Sequence, residues 1–272
     1  MLEINQSDFV RLLTFVQNNY GIDLSKKKQL MQSRLQTTLH NQGFRDFTQY
    51  VDHIIKTKNN ADIENLLNKL TTNYTYFLRE KEHFDFFRDT ILPYLVSKKR
   101  NKSLNIWSAG CSSGEEPYTI SMYIKDYLGP KASSWDTRVL ATDISTNVLS
   151  VAMKGEYNME SLRNLPESWK KRFFRKSPTD PEQVIVSEEL KRNVIFRPFN
   201  LMDPIQFRSK FDVIFCRNVM IYFNQETKDA LINRFYDATN PGGYLLIGHS
   251  EGVNRANSRY SYIMPATYRK PL

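Results

Sequence analysis

Cysteine is nearly missing from this sequence: Cys111 and Cys216 are the only two among 272 residues. That is too few for a disulfide framework, and the pair matches no metal-ligand spacing, so no metal is expected. Long apolar runs are missing as well. No apolar h-region opens the chain and no run is long enough to span a bilayer, which makes a cytoplasmic protein without membrane insertion the expectation. There is no internal repeat and no low-complexity tract. What is present is an ordinary globular balance, 40% hydrophobic and 25% charged, with aromatics at 13% able to fill a sizeable core. Lys and Arg exceed Asp and Glu by 38 to 29, a formal charge of +9. A basic surface raises encounter rates with acidic partners, whether nucleic acid, anionic lipid or acidic protein, without choosing among them.

The first seventy or so residues read as helix only. Ser7 and Asp8 offer an N-cap, and Phe9, Leu12, Leu13 and Val16 follow at helical spacing before Gly21. Leu24, Met31, Leu35 and Leu39 mark a second helix. Phe47, Tyr50, Val51 and Ile54 mark a third, and Ile63, Leu66, Leu67 and Leu70 a fourth. From Leu104 the period changes. Strands are expected at Leu104–Ala109, Arg138–Thr142, Asn193–Phe199, Phe211–Cys216 and Tyr244–Gly248, with helices at Glu115–Leu128, Asn147–Lys154 and Gln225–Thr239 and a turn at Pro241-Gly242-Gly243. Alternating strands and helices predict an α/β domain with a mostly parallel sheet. The polar, proline-bearing stretch Tyr157–Leu190 breaks the alternation and holds one β-like run, Gln183–Val186; it reads as an insertion covering 157–192. Tyr260 to Lys270 is suited to a last hairpin. The expected domains are 1–72, a linker 73–103, and 104–272.

The segment Ile106 to Pro117 carries the most chemistry. A strand ends, a loop with Gly110 and Gly114 turns, and a helix opens on Glu115 and Glu116. In open α/β sheets ligands sit outside the carboxyl ends of strands at such a loop. It lacks the full G-x-G-x-x-G spacing, and two acids at a helix N-terminus would repel a pyrophosphate. A cationic ligand, such as a sulfonium carrying an ammonium group, fits better; an ordinary strand–helix turn would read the same way. Asp143 ends the next strand, where an acid can accept from both ribose hydroxyls or simply cap the following helix. Asn200 and Leu201 follow the third strand and Arg217 and Asn218 the fourth, so polar residues end consecutive strands.

Four stretches then carry a resemblance. Asn73-Tyr74-Thr75-Tyr76-Phe77-Leu78-Arg79-Glu80, Ser112-Ser113-Gly114-Glu115-Glu116-Pro117-Tyr118, Phe215 to Phe223, and Gly248-His249-Ser250-Glu251 are similar to the chemotaxis receptor methyltransferase (CheR) family, over nearly the whole chain and in the family's order. The resemblance implies a small all-helical N-terminal domain. A Rossmann-like S-adenosylmethionine-dependent methyltransferase domain with an inserted small antiparallel β-subdomain would follow. It implies cofactor contacts from Asn73, Thr75, Arg79, Glu116, Asp143, Asn200, Leu201, Arg217 and Asn218, with Arg79 and Tyr222 nearest the transferred methyl. The implied reaction is O-methylation of receptor glutamates, leaving S-adenosylhomocysteine. A glutamate of pKa about 4.3 is already ionised near neutral pH, so no general base is required, and none of the Ser-His-Asp or Cys-His kind is evident; His249 then reads as a loop-structuring residue.

Lys26, Lys27, Lys28 and Arg34 gather on the second helix, and at about 100° per residue Lys27 and Arg34 share one flank. Such a flank suits an acidic helical partner, here the cytoplasmic domain of a chemotaxis receptor, or is simply a solvated face. Some family members grip a receptor's C-terminal tail with a glycine-bearing turn of the inserted subdomain. The stretch Lys176 to Pro181 has no glycine, so direct receptor recognition without a tail tether is expected; a monomer is the expected state. A nucleic-acid methyltransferase would share fold, cofactor and charge, but such enzymes often carry Asn/Asp-Pro-Pro-aromatic where this chain has Arg217-Asn218-Val219-Met220, so no nucleic-acid partner is expected. A non-catalytic scaffold that binds cofactor or receptor is the other alternative.

Overall fold

The computed structural model describes residues 2–272 and divides into two compact units, Met1–Asn73 with Tyr222–Lys228, and Tyr74–Ile221 with Asp229–Leu272. The first unit holds α1 (Gln6–Tyr20), α2 (Lys28–Asn41), α3 (Phe47–Thr57) and α4 (Asn60–Leu70). Their apolar stripes, among them Leu12 and Val16, Met31 and Leu35, Val51 and Ile54, and Leu66 and Leu70, are buried. They pack α1 on α3 and α2 on α4. The N-cap of α1 is Asn5, whose Oδ1 accepts from the Asp8 amide at 2.8 Å. Ser7 and Asp8 do not cap it: the Asp8 carboxylate, almost fully buried, is drawn instead to Arg11, Thr48 and the Asn5 amide group. Leu24 and Lys27 precede α2 rather than lying in it, because the chain first turns with Lys27 N–H donating to Leu24 O. Late in the chain Tyr222 and Phe223 return to this unit. The Asp23 amide donates to Tyr222 O at 2.8 Å, and Ile22 bridges Phe223.

The second unit opens with α5 (Lys81–Phe86), a π turn (Phe87–Ile91) and α6 (Leu92–Lys98). In chain order come β1 (Ile106–Ala109), α7 (Glu115–Leu128), β2 (Val139–Asp143), α8 (Thr146–Lys154), β3 (Glu156–Asn158), α9 (Glu167–Phe173), β4 (Phe174–Lys176), β5 (Gln183–Val186), α10 (Glu188–Lys191), β6 (Val194–Pro198), β7 (Phe211–Cys216), α11 (Gln225–Ala238), β8 (Thr239–Ile247), β9 (Ser261–Met264) and β10 (Thr267–Arg269). The main sheet runs β6-β2-β1-β7-β8-β10-β9. β6, β2, β1, β7 and β8 are mutually parallel, and the β9–β10 hairpin closes the far edge antiparallel. Strand order therefore reverses at β1, the position where open α/β sheets leave a crevice. Trp107 on β1 anchors one face: Phe199, Phe207, Phe211 and Phe235 surround its ring, and its indole N–H donates to Thr142 Oγ1 at 2.9 Å.

The insertion is a three-stranded antiparallel sheet, β3-β5-β4. The sequence pattern shows only β5; β3 and β4 are three residues each, too short for alternation to register. Pro241-Gly242-Gly243 is not a turn. β8 passes through it, and the register between β7 and β8 shifts between Phe211 and Val213 to accommodate the irregular backbone. Among the described residues no helix is long and apolar enough to cross a membrane.

Candidate functional site

The loop after β1 turns sharply because two glycines allow it. Gly110 has φ 85° and lies so close to Val219 that a Cβ would fall 2.3 Å from Val219 Cγ2; Gly114 has φ 97°, and its Cβ would meet Ala152 at 2.8 Å. The Gly110 and Cys111 amides both donate to Thr142 O, folding the loop back over the end of β2. The Ser112 amide then donates to Asp143 Oδ2 at 2.8 Å, and Ser145 N–H to Asp143 Oδ1 at 3.0 Å. Ser145, not Asp143, caps α8 through its side chain. Asp143 thus ties the glycine loop to the β2 end.

Glu115 and Glu116 are adjacent in sequence but serve opposite sides. Glu115 is buried with its carboxylate accepting from Ser113 Oγ. Glu116 accepts from Ser108 Oγ at 2.7 Å and from Arg217 Nη1 at 3.0 Å. Burial raises both carboxyls; for Glu116 it outweighs the Arg217 charge and the Ser108 hydrogen bond.

Arg217, at the end of β7, is the pivot. Its side chain is 2% exposed and lies between two acids, Nη1 on Glu116 and Nη2 on Glu80 Oε2 at 3.2 Å. Nη2 also donates to Arg79 O, and the guanidinium rests 5.0 Å from the Phe84 ring centroid. Glu80 in turn accepts from Asn218 Nδ2 at 3.3 Å and from the His249 amide at 3.2 Å. Burial opposes its ionisation, but Arg217 and these hydrogen bonds hold its carboxyl below the usual range. Asn218, at φ 60°, donates its amide to Glu251 Oε2, as does Gly248, while Ile221 N–H donates to Glu251 Oε1. One buried carboxylate therefore fixes the loops after β7 and β8 together.

Thr75 and Arg79 lie in the segment leading to α5, where Arg79 Nη1 donates to Tyr74 O at 2.7 Å. Asn200 Oδ1 accepts from the Met202 amide, and Leu201, 8% exposed, offers its carbonyl to Arg234. The remaining expected residues belong to the first unit. Asn73 Nδ2 donates to Asn68 Oδ1. The Tyr222 hydroxyl donates to Thr72 O and accepts from Thr72 N–H, with Lys27 Nζ 5.4 Å from its ring centroid. Arg34 Nη1 donates to Lys69 O near the α4 C-terminus.

Glu80, Glu251 and Arg234 carry no assigned role in the sequence reading. Glu80 and Glu251 fall inside the motifs quoted above; only the fold shows that each gathers backbone and side-chain donors from separate loops. Glu80, His83 and His249 also offer ligand atoms within 4.8 Å of one another. A cation there would share the Glu80 carboxylate with the fixed Arg217 guanidinium; Glu80 accepts from the His249 backbone amide, while both ring nitrogens of His83 are buried without a hydrogen-bond partner among the described residues. His83 is fully buried, and desolvation, with Arg217 and His249 nearby, pushes it down to about 3. It is neutral when folded and charges when unfolded below pH 6.5, so the folded state loses stability as pH falls from 6.5 toward 3. Wild type is expected to lose about 1 kcal/mol more than His83→Gln between pH 7 and 5.5 in urea titrations; equal losses in the two proteins would refute a neutral buried His83.

Residues 73–269 match the family model described as CheR methyltransferase, SAM binding domain, and residues 7–71 match CheR methyltransferase, all-alpha domain. The chain is 45% identical to a chemotaxis protein methyltransferase of Borreliella burgdorferi, over 99% of this chain and 96% of that one. It is 35% identical to the chemotaxis protein methyltransferase of Escherichia coli, over 96% and 89%. A probable chemotaxis protein methyltransferase of Rhizobium etli is also 35% identical, over 93% and 96%. A glycine loop, an acid at the end of β2 and polar ends on β6 and β7 agree with these matches, and the chain belongs to the CheR methyltransferase family, with an S-adenosylmethionine-binding domain.

Proposed function

We propose that this methyltransferase esterifies specific glutamate side chains of chemotaxis receptors in the cytoplasm, with S-adenosylmethionine as methyl donor. The observation that carries the reading is the convergence of Glu116, Asp143, Asn200, Leu201, Arg217 and Asn218 at the carboxyl ends of β1, β2, β6 and β7, on both sides of the strand-order reversal. S-adenosylmethionine, when bound, supplies an electrophilic methyl group on a sulfonium.

Each residue has a task suited to its chemistry. Asp143 accepts from the ribose hydroxyls, a role for an ionised acid at a strand end. Asn200 and Leu201 flank the adenine. Glu116, rather than Glu115, faces the cationic end, in keeping with its place in the Arg217 network. Thr75 and Arg79 hold the amino-acid end, and Arg217 and Asn218 shape the pocket floor. Arg79 can grip a carboxylate with two parallel N–H groups. No residue has to take a proton, because the substrate carboxylate is already ionised near neutral pH; the protein contributes alignment and exclusion of water, worth several kcal/mol. Lys27 and Arg34 meet acidic helices of the receptor.

The experiment is methyl transfer from labelled S-adenosylmethionine to a purified receptor cytoplasmic domain, alongside Arg79→Ala and Asp143→Ala. Base-labile label on receptor glutamates, lost in both variants, is expected. Label on nucleic acid instead, or tight cofactor binding with no transfer to receptor, would overturn the assignment.

A further inference from the structure

The segment after β6 turns on Asn200. Asn200 O accepts from the Asp203 amide, and Asn200 Oδ1 from the Met202 amide, closing a tight turn that leaves the carbonyls of residues 201–203 pointing away from it. All three are collected by one side chain from α11. Arg234 Nη2 donates to Leu201 O at 2.7 Å; Nη1 donates to Met202 O at 2.7 Å and, more distantly, to Asp203 O at 3.4 Å. The guanidinium forms no ion pair within 4 Å among the described residues, so carbonyl dipoles carry most of its stabilisation. Burial works against the charge, and Asp203 is the acid that favours it. A planar fork is required here: three successive carbonyls spread over the loop cannot be met by a single ammonium.

We propose that Arg234 is a positioning residue for the nucleoside end of the cofactor site, clamping the 201–203 carbonyls so that Asn200 and Leu201 are held ready for the adenine ring. This rests on the reading that those two residues flank the adenine. Arg234 touches neither the cofactor nor the reacting atoms; it acts on the loop. Its removal therefore weakens ligands that carry the nucleoside and leaves the methyl-transfer step of the bound complex unchanged. A side chain of purely structural value would lower thermal stability and leave ligand affinity in the folded protein unmoved.

The test uses the full chain, with titration calorimetry of S-adenosylhomocysteine and of adenosine and amide exchange across residues 200–204. In Arg234→Met the Kd for S-adenosylhomocysteine is expected to rise about tenfold or more, as for loss of charge-assisted hydrogen bonds. The Kd for adenosine should rise by the same factor, while kcat at saturating cofactor changes less than about twofold. Amides 201–203 should exchange faster. Arg234→Lys, which keeps the charge and most of the packing, is expected to fall between wild type and Arg234→Met, and keeps the proposal testable if the methionine variant folds poorly. Unchanged affinity in both variants, or weakening of S-adenosylhomocysteine without weakening of adenosine, would overturn the clamp while leaving the cofactor reading intact. Wild-type protein that binds neither ligand would overturn the cofactor reading itself, and the clamp with it.

Discussion

Arg217→Met is expected to destabilise the second unit by about 3–5 kcal/mol at neutral pH, the cost of stranding buried charge. In wild type the guanidinium is ion-paired to Glu80 and to Glu116 and is almost wholly out of water. Without it, two carboxylates share a dry space with only Ser108, Asn218 and the His249 amide to answer them. Both carboxyls then titrate higher when folded than when unfolded. A carboxyl raised in the folded state binds its proton more tightly there, so stability is recovered as pH falls toward about 4.5 and lost as pH rises. The deficit relative to wild type should shrink between pH 7 and 5. Urea titrations at several pH values, followed by tryptophan fluorescence, read this unit selectively, because Trp107, Trp135 and Trp169 all lie in it. A variant as stable as wild type at pH 7 would show that the acids are already protonated, or solvated, and that Arg217 does not hold them.

The second large effect is expected at the end of β2. On the proposed ribose role, Asp143→Ala should raise the Kd for S-adenosylhomocysteine by roughly a hundredfold or more, because it would remove two hydrogen bonds to a carboxylate, each about 1.5–3 kcal/mol. Part of the loss comes through the protein itself, since Asp143 also accepts the Ser112 and Ser145 amides. Asp143→Asn keeps one acceptor oxygen but turns an amide donor on either the Ser112 or the Ser145 N–H as well as on a ribose hydroxyl, so affinity should fall by tenfold or more, with a smaller loss of thermal stability than in Asp143→Ala. Calorimetry and a melting curve on each protein decide it. Affinity unchanged in Asp143→Asn would remove the ribose from the account of this residue.

How much of this could be read without coordinates follows from the period of each segment. α7 and β7 coincide with the expected Glu115–Leu128 and Phe211–Cys216, because a long run at helical spacing and an apolar run broken only by Asp212 announce themselves. The strand ends carrying Asp143, Asn200 and Arg217 were visible for the same reason: a polar residue closing an apolar run is conspicuous. β3 and β4 were not visible, being three residues each, and Pro241-Gly242-Gly243 imitated a turn where the strand bulges. The roles of Glu80, Glu251 and Arg234 were hidden for a different reason. Gly248 apart, the donors and acceptors they gather lie thirty or more positions away, as with Arg217 and Glu80, and no local pattern encodes a carboxylate that gathers amides from two loops.

The return of Tyr222–Lys228 to the first unit bears on how the chain is made. Residues 2–73 contain four helices with their own apolar stripes, yet the Ile22–Phe223 bridge and the Thr72–Tyr222 hydrogen bonds depend on residues synthesised roughly 150 positions after that segment ends, about 8–30 s at 5–20 residues per second. On the ribosome the helical unit must therefore wait, partly sealed, while most of the parallel sheet emerges, and its completion is tied to the end of β7 having been delivered. A nascent chain stalled before residue 222 would carry helices that still lack the Ile22–Phe223 bridge and the Thr72–Tyr222 hydrogen bonds.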